Sequence, residues 1–330
     1  MRLGGNTAYL TDVGSRDELF QAVAWAESRQ LPIITIGTGS NIIWGDAGFP
    51  GLVIVNKILG ITTQSLSDTE VYVTGSAGEP WDAFVAQTVE QGLSGIEFLS
   101  LIPGTVGATP VQNVGAYGQE VANTIVTVEA YDLATHQLVM LRGSDCKFAY
   151  RTSRFKGVDH GKYIITAVTF FLTKSNPIPP YYPAVDAYCK EHGTYPVTPR
   201  AGREAVVAIR SAKLPDPALV ANNGSFFGNP IVDDAVYFQL QQDYPDMSHW
   251  WLPDNKRIKL SAAWLVEHAG FKDFHDPETG MGTWPSQPLI LVNEHANSTK
   301  QLLAFKQKVV DAVSAKFGVT LEQEPELIGA

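Results

Sequence analysis

The stretch IPGTVGATPVQNVGAYGQE, residues 102–120, decides how this chain is read. It carries a single charge, Glu120, and places glycine at 104, 107, 115 and 118 and proline at 103 and 110. A helix does not tolerate that many glycines with two internal prolines, and a buried strand favours β-branched residues over glycine. A disordered linker would be more polar and would lack Ile102 and the valines. What remains is an ordered, tightly turned segment whose backbone comes close to something.

Upstream, IGTGSN at residues 36–41 follows the apolar strand LPIITIG, a position where backbone amides can cradle a phosphate. Its G-x-G is not followed by x-x-G, so it is not a dinucleotide fingerprint. Two uncharged glycine-rich loops in one lobe, with Ser76, Thr105, Gln112 and Asn113 as neutral donors, suit a pyrophosphate and a flat ring system. They suggest a large cofactor such as FAD, held without a Rossmann fold. A glycine-rich core crossover is the plainer alternative.

Around these loops the first third alternates helices and strands. RDELFQAVAWAESRQ puts Leu19, Phe20, Val23 and Ala24 on one helical face, and EVYVTGSAG alternates Val71 and Val73 as a strand does. EPWDAFVAQTVEQGL starts with Pro80 and stops at Gly92, the proline-first, glycine-last order of a helix. TIVTVEAYDL and ATHQLVML form a hairpin candidate, and KYIITAVTFFL is a strand that closes the lobe. Residues 175–200 carry six prolines and four tyrosines and read as a boundary or ordered loop. Beyond it come a helix stopped by Pro215, a helix ended by Gly270, the strand PLILVNEHA and a helix with a Ser298–Gln301 capping box reaching Gly318.

The expected fold class is α+β. Residues 1–174 form an N-terminal pair of lobes (about 1–57 and 58–174), residues 175–200 a tyrosine- and proline-rich loop, and residues 201–330 a C-terminal domain. At 330 residues more than one core is expected. A net charge of −10 argues against a nucleic-acid partner while leaving room for an anionic small ligand. The two cysteines are not in a C-x-x-C pair and the seven histidines lie far apart, so no metal site is expected. With no secretory signal and no membrane-length apolar run, a cytoplasmic monomer is expected.

Three further stretches carry candidate chemistry. YRTSRFK (150–156) gathers Arg151, Arg154 and Lys156; either it is a solvated basic turn or one Arg points inward to stabilise negative charge. NNGSFFGNP (222–230) sets the Ser225 hydroxyl between a glycine and two phenylalanines. Arg203, Arg210 and Lys213, spaced by seven and three, form either a solvated helix side or a phosphate clamp.

In order along the chain, IGTGSNII, GLSGIEFLSLIPGTVGATPVQNVGAYGQE, YRTSRFK, KLPDP, NNGSFFGNP, KLSAAWLVEHAGFK, LVNEHANSTKQLL and LEQEPELIGA resemble one family, the UDP-N-acetylenolpyruvoylglucosamine reductases (UDP-N-acetylmuramate dehydrogenases). The resemblance implies an FAD-binding domain of the vanillyl-alcohol oxidase and para-cresol methylhydroxylase type plus a substrate-binding domain whose C-terminal tail returns to the active site. PPYYPAV resembles the tyrosine loop of the family's first type. Implied cofactor contacts are Gly37, Thr38, Gly39, Ser40 and Asn41 at the pyrophosphate. Ser76, Pro103, Gly104, Thr105, Gly107, Gln112, Asn113, Gly115, Ala116, Tyr117 and Gly118 would lie around the flavin.

The implied reaction is NADPH-dependent reduction of UDP-N-acetylglucosamine enolpyruvate, in peptidoglycan precursor synthesis. In it Arg151 stabilises an enolate, Ser225 supplies a proton and Glu324 supports the enolate. Tyr182, Lys213, Asn229 and Lys259 would hold the substrate. Glu326 competes with Glu324, Tyr181 competes with Tyr182, and Gly228 stands where the family has Lys. Two other readings are a sugar or alcohol oxidase of the same cofactor fold and a non-catalytic UDP-sugar-binding protein.

Overall fold

Ser15 accepts the Glu18 N–H and so starts the helix α1 (Arg16–Glu27), which buries Leu19, Val23 and Ala26. In the computed structural model, which describes residues 1–252 and 256–329, the chain divides into two compact units. The larger comprises Thr7–Ser40 and Pro50–Ala212, the smaller Met1–Asn6, Asn41–Phe49 and the chain from Lys213 onward.

In the larger unit, α1 covers a three-stranded sheet in which Ile33–Ile36 runs parallel to Phe49–Asn56. A second, five-stranded antiparallel sheet has the order Gln137–Arg142, Ile125–Asp132, Tyr163–Thr173, Glu70–Ser76, Ile61–Ser65. The expected hairpin of residues 125–142 forms. Tyr163–Thr173, the strand expected to close the lobe, forms and is its central strand, hydrogen-bonded on both sides, and this explains its nearly unbroken apolar run. Against this sheet packs α2 (Trp81–Glu90), whose Trp81 and Phe84 are fully buried beside Phe170. Full burial of each such aromatic contributes roughly 1.5–3 kcal/mol.

The 175–200 stretch holds a helix as well as loop. α3 (Pro183–Glu191) begins with its proline at the first position and buries Val185 and Cys189. α4 (Pro199–Lys213) follows, and Val185 and Cys189 of α3, Val197 of the link and Ala201, Ala205 and Val206 of α4 form one buried cluster with Phe98. Proline and tyrosine content concealed a helix whose buried face is only two residues wide.

The smaller unit has a four-stranded antiparallel sheet built on Gln287–Asn293 and Met281–Trp284, with Asn222–Ser225 at one edge. A three-stranded sheet of Ile231–Asp233, Arg257–Leu260 and His249–Trp251 lies with α5 (Asp234–Asp243). α6 (Ala262–Val266) runs into a π turn, Glu267–Phe271, broken by Gly270 at φ 95°. The last helix, α7 (Thr299–Phe317), has the expected capping box and ends at Gly318 in the left-handed region. Asp46 adds a second cap, since its carboxylate accepts the Thr299 and Lys300 N–H groups at 2.6 and 2.9 Å.

Candidate active site

Glycine makes the two loops of the larger unit neighbours. A β-carbon on Gly37 would overlap the Thr105 hydroxyl, and Thr105 is buried. Ser40 Oγ donates to the Pro103 carbonyl at 3.4 Å, closing the same contact. The second loop is lashed to the turn before α2: Val106 N–H donates to Glu79 O, Gly107 N–H to Ala77 O, and Trp81 N–H to Gly104 O. The expected cofactor positions 37–40 and 103–107 thus form one continuous backbone cradle, with Ser76 buried close by. Asn41, the last of the first loop, belongs to the smaller unit, where its carbonyl accepts the Glu326 N–H at 3.0 Å.

The rest of the 102–120 stretch folds as a 3-10 turn, Val106–Ala108, and a tiny hairpin pairing Gly115–Ala116 with Gln119–Glu120. Its two turn residues, Tyr117 and Gly118, both have positive φ, 49° and 85°, the signature of a type I′ turn. The Asn113 side chain is committed inside the protein: its amide donates to Glu120 and to Ala149 O, and its oxygen accepts the Ala122 N–H. Gln112 is half-buried.

Arg151 of the basic turn has φ 54°, strained for a residue with a side chain. Its Nη2 donates to the Gly115 carbonyl at 2.7 Å, and a β-carbon on Gly115 would stand 3.1 Å from its Nη1. The basic turn is therefore neither fully solvated nor all alike. Arg151 lies on the 102–120 loop, whereas Arg154 is bound to Asp159 at 2.6 Å. Lys162 and Arg154 together hold the Asp159 carboxyl below its ordinary range.

Tyr182 is 39% exposed and meets Tyr117 edge-on, ring centres 5.3 Å apart. Tyr181 turns the other way, donates to Pro177 O and packs against Phe98. Burial raises the Tyr117 phenol above its ordinary pKa, and Arg210 works against that rise.

In the smaller unit the Ser225 turn and the C-terminal segment are brought together. Gly224, φ 70°, donates to the Asn222 side chain and turns the chain so that Ser225 is exposed. Glu324 N–H donates to Phe226 O at 2.9 Å, Gly228 N–H donates to Glu322 O at 3.1 Å, and Phe227 pairs with Gln323. The tail then continues as Glu326–Ile328, parallel to Ile42–Trp44. Glu324 is thus the glutamate beside the Ser225 turn, and Glu326 belongs to the strand pair. Asn229 braces α6, accepting the Ala262 N–H at 2.9 Å. Lys259 pairs with Ile231 and Trp250 and lies 5.6 Å from the Trp250 ring centre. Lys213 is exposed, its carbonyl accepting from Trp284 Nε1.

A family model described as an FAD binding domain matches residues 7–141. Another, the C-terminal domain of UDP-N-acetylenolpyruvoylglucosamine reductase, matches residues 216–328. Relatives bearing that enzyme name include the one from Pseudomonas fluorescens (strain Pf0-1), 40% identical over 305 residues, 92% of this chain and 88% of the relative. That from Thermobifida fusca is 40% identical over 339 residues, 99% of this chain and 94% of the relative. The chain belongs to the UDP-N-acetylenolpyruvoylglucosamine reductase family.

Within solved structures, the reductase of Thermus caldophilus gives a TM-score of 0.64 at 22% identity, covering 96% of this chain and 91% of the other, and shares the fold. The fold class expected from sequence holds: a mixed α+β FAD-binding domain joined to the reductase family's C-terminal domain. So does the enzyme class, an FAD-dependent oxidoreductase. The cradle fits that cofactor: at Gly39 a β-carbon would meet nothing and at Gly104 only Ser40 Oγ, so one positive-φ glycine in each loop leaves its backbone open to approach. Among the described residues, no helix is long and apolar enough to cross a membrane.

Sequence reasoning missed two buried or paired carboxylates that brace the segments around the glycine-rich loops. Glu97 is wholly buried and accepts from Ser94 Oγ, Gly95 N–H and Gln119 Nε2. Asp82 looks like an ordinary acidic residue in a helix first turn, yet it binds Arg203 through both oxygens at 2.6 and 2.9 Å. No local pattern marks Asp82, whose arginine partner lies 121 positions away, and Glu97 joins two neighbours, Ser94 and Gly95, to Gln119, 22 positions on.

Proposed function

We propose that this protein reduces UDP-N-acetylglucosamine enolpyruvate to UDP-N-acetylmuramate with NADPH as hydride source, a step of peptidoglycan precursor synthesis. The observation that carries the reading is the pairing of the Ser225 turn with the Glu324 segment inside the domain that matches the reductase family. We place the cofactor on residues 37–41, 76, 103–105, 107, 112–113 and 115–118. When bound, FAD supplies two-electron hydride transfer between the nicotinamide and the enolpyruvyl double bond.

The residues of the chain manage charge and protons around that transfer. Hydride addition at the β-carbon leaves a pair of electrons shared by the α-carbon and the carboxylate, so negative charge develops there. Arg151 stabilises it; a preorganised donor of this kind is worth about 3 kcal/mol. Ser225 Oγ donates the proton that completes the α C–H bond, a role worth roughly 10²–10⁴ in rate. Glu324 supports the enolate in its protonated form. Tyr182, Lys213, Asn229 and Lys259 hold the diphosphate end. The substrate-binding region is the domain from about residue 201 onward, with the tyrosine-bearing segment 175–200 before it.

An anaerobic absorbance experiment on the purified holoprotein tests this. NADPH bleaches the flavin, and UDP-N-acetylglucosamine enolpyruvate restores its colour stoichiometrically. Bleaching without recovery by this substrate overturns the substrate assignment.

A further inference from the structure

Thr166 interrupts the apolar run of the central strand Tyr163–Thr173, yet it is wholly buried. It is also the extra residue of a β-bulge: Ile165 pairs with Ala130, Ala167 pairs with Glu129, and Thr166 stands between them. A buried hydroxyl left without a partner is costly, so its bonds tell what the bulge does. Thr166 Oγ1 donates to Glu129 Oε1 at 2.6 Å and, less closely, to the Glu129 carbonyl at 3.3 Å. The same Oε1 accepts Arg16 Nε at 2.7 Å and lies 2.6 Å from Arg16 Nη2. Arg16 is the first residue of α1, where a cation meets the positive end of the helix dipole. Nothing local favours it there; Glu129, 113 positions away, does.

The bulge also reaches the cradle. Its carbonyl, Thr166 O, accepts the Ala77 N–H at 2.9 Å, and Ala77 O accepts the Gly107 N–H at 2.9 Å. Gly107 sits so close that a β-carbon on it would lie 2.5 Å from Ala77 Cβ. One residue back along the strand, the Ile165 carbonyl accepts from Asn56 Nδ2 at 3.0 Å, and Asn56 Oδ1 accepts the Ile58 N–H at 3.1 Å. Gly78, next to Ala77, donates to Ile58 O at 2.9 Å. One bulge therefore ties the start of α1 and the end of the strand Phe49–Asn56 to the second glycine-rich loop.

We infer that Glu129 is a positioning residue for the cofactor: oriented by Arg16, its carboxylate fixes the Thr166 bulge, whose carbonyl sets Ala77 and, through it, Gly107 of the cradle. This rests on the placement of FAD in that cradle proposed above.

The test is the dissociation constant of FAD for the flavin-stripped full chain, read by quenching of flavin fluorescence, together with the visible circular dichroism of the bound flavin. Thr166→Val and Glu129→Leu each weaken FAD about tenfold, the worth of one hydrogen bond. The double variant is no weaker than the worse single one, because both changes break the same bond. Glu129→Gln keeps an acceptor for Thr166 and Arg16, and so stays within about twofold of the native affinity. At saturating FAD the dichroism of both weakened variants differs from the native band, which lower fold stability alone does not produce. Unchanged affinity and dichroism in Thr166→Val and Glu129→Leu overturn the inference, as do additive losses in the double variant. Should Glu129→Leu fold poorly, Arg16→Met, at a half-buried position, takes its place in the cycle. Gly37→Val in the same assay separates this inference from the cofactor placement. If Gly37→Val weakens FAD and the bulge variants do not, the positioning role alone fails; if none of them weakens FAD, the placement fails with it.

Discussion

Gly37 and Thr105 touch so closely that no side chain fits on Gly37, and this contact joins the two glycine-rich loops that the sequence places almost seventy residues apart. Enlarging Gly37 must push Thr105, which is only 5% exposed and has little room to yield. Gly37→Val should destabilise the cradle by roughly 1–3 kcal/mol. The purified variant should carry markedly less than stoichiometric flavin by its visible-to-ultraviolet absorbance ratio. Full occupancy with unchanged thermal stability would show that the loops tolerate separation.

Arg151 reaches Gly115 with a planar guanidinium, so charge alone should not replace it. Arg151→Lys is expected to retain FAD and its reduction by NADPH, while reoxidation by the enolpyruvyl substrate slows roughly 10²–10³-fold. Stopped-flow measurement of the two half-reactions separates them. Equal slowing of both would place Arg151 in cofactor binding instead.

Ser225 is exposed on its turn, so removing the hydroxyl should not disturb packing. Ser225→Ala is expected to keep the melting temperature and flavin reduction, and to lose about 10²–10⁴ in the reoxidation step. Unimpaired turnover in this variant removes the serine from proton transfer.

Asp82 gives a pH signature. Burial favours its neutral form, but hydrogen bonds from Arg203 and the Leu101 N–H outweigh that, and the carboxyl is held below its ordinary value of 3.8. A folded-state pKa lower than the unfolded one contributes stability fully present above 3.8 and lost as pH falls through the folded value. The stability difference between the native protein and Asp82→Asn in urea should accordingly be constant near neutrality and shrink in acid below that value. A difference that stays constant into strong acid would mean the ion pair contributes nothing through protonation.

Cys146 and Cys189 are both wholly buried, and burial pushes the Cys146 thiol up to about 11. Neither should react with a thiol reagent in the native state, and two equivalents should appear on denaturation. Rapid labelling of the native protein would reveal local opening of α3 or of the turn before Arg151.

Much of this was legible in the chain itself, for physical reasons that differ from place to place. The 102–120 stretch announced itself because its glycines exclude every regular alternative. α7 announced itself through a cap at Ser298 and a stop at Gly318, both local signals. What stayed hidden was non-local. Arg203 and Arg210 could not be told from a solvated face because their partners lie in α2 and the loop after it. α3 was masked by prolines that in fact begin it, and the central place of Tyr163–Thr173 was hidden because strand order is not written in a single strand.

The smaller unit is gathered from residues 1–6, 41–49 and 213 onward, and its last strand, Glu326–Ile328, pairs with Ile42–Trp44. During synthesis the early strand must therefore wait for its neighbour until nearly three hundred further residues have been added. Until then the Ser225 turn also lacks the segment that binds Phe226 and Gly228. A ribosome that stops short of Glu322 would release a chain that holds every residue of the two glycine-rich loops and lacks the segment that pairs with the Ser225 turn. The order of translation thus leaves the smaller unit open until the last residues of the chain are made.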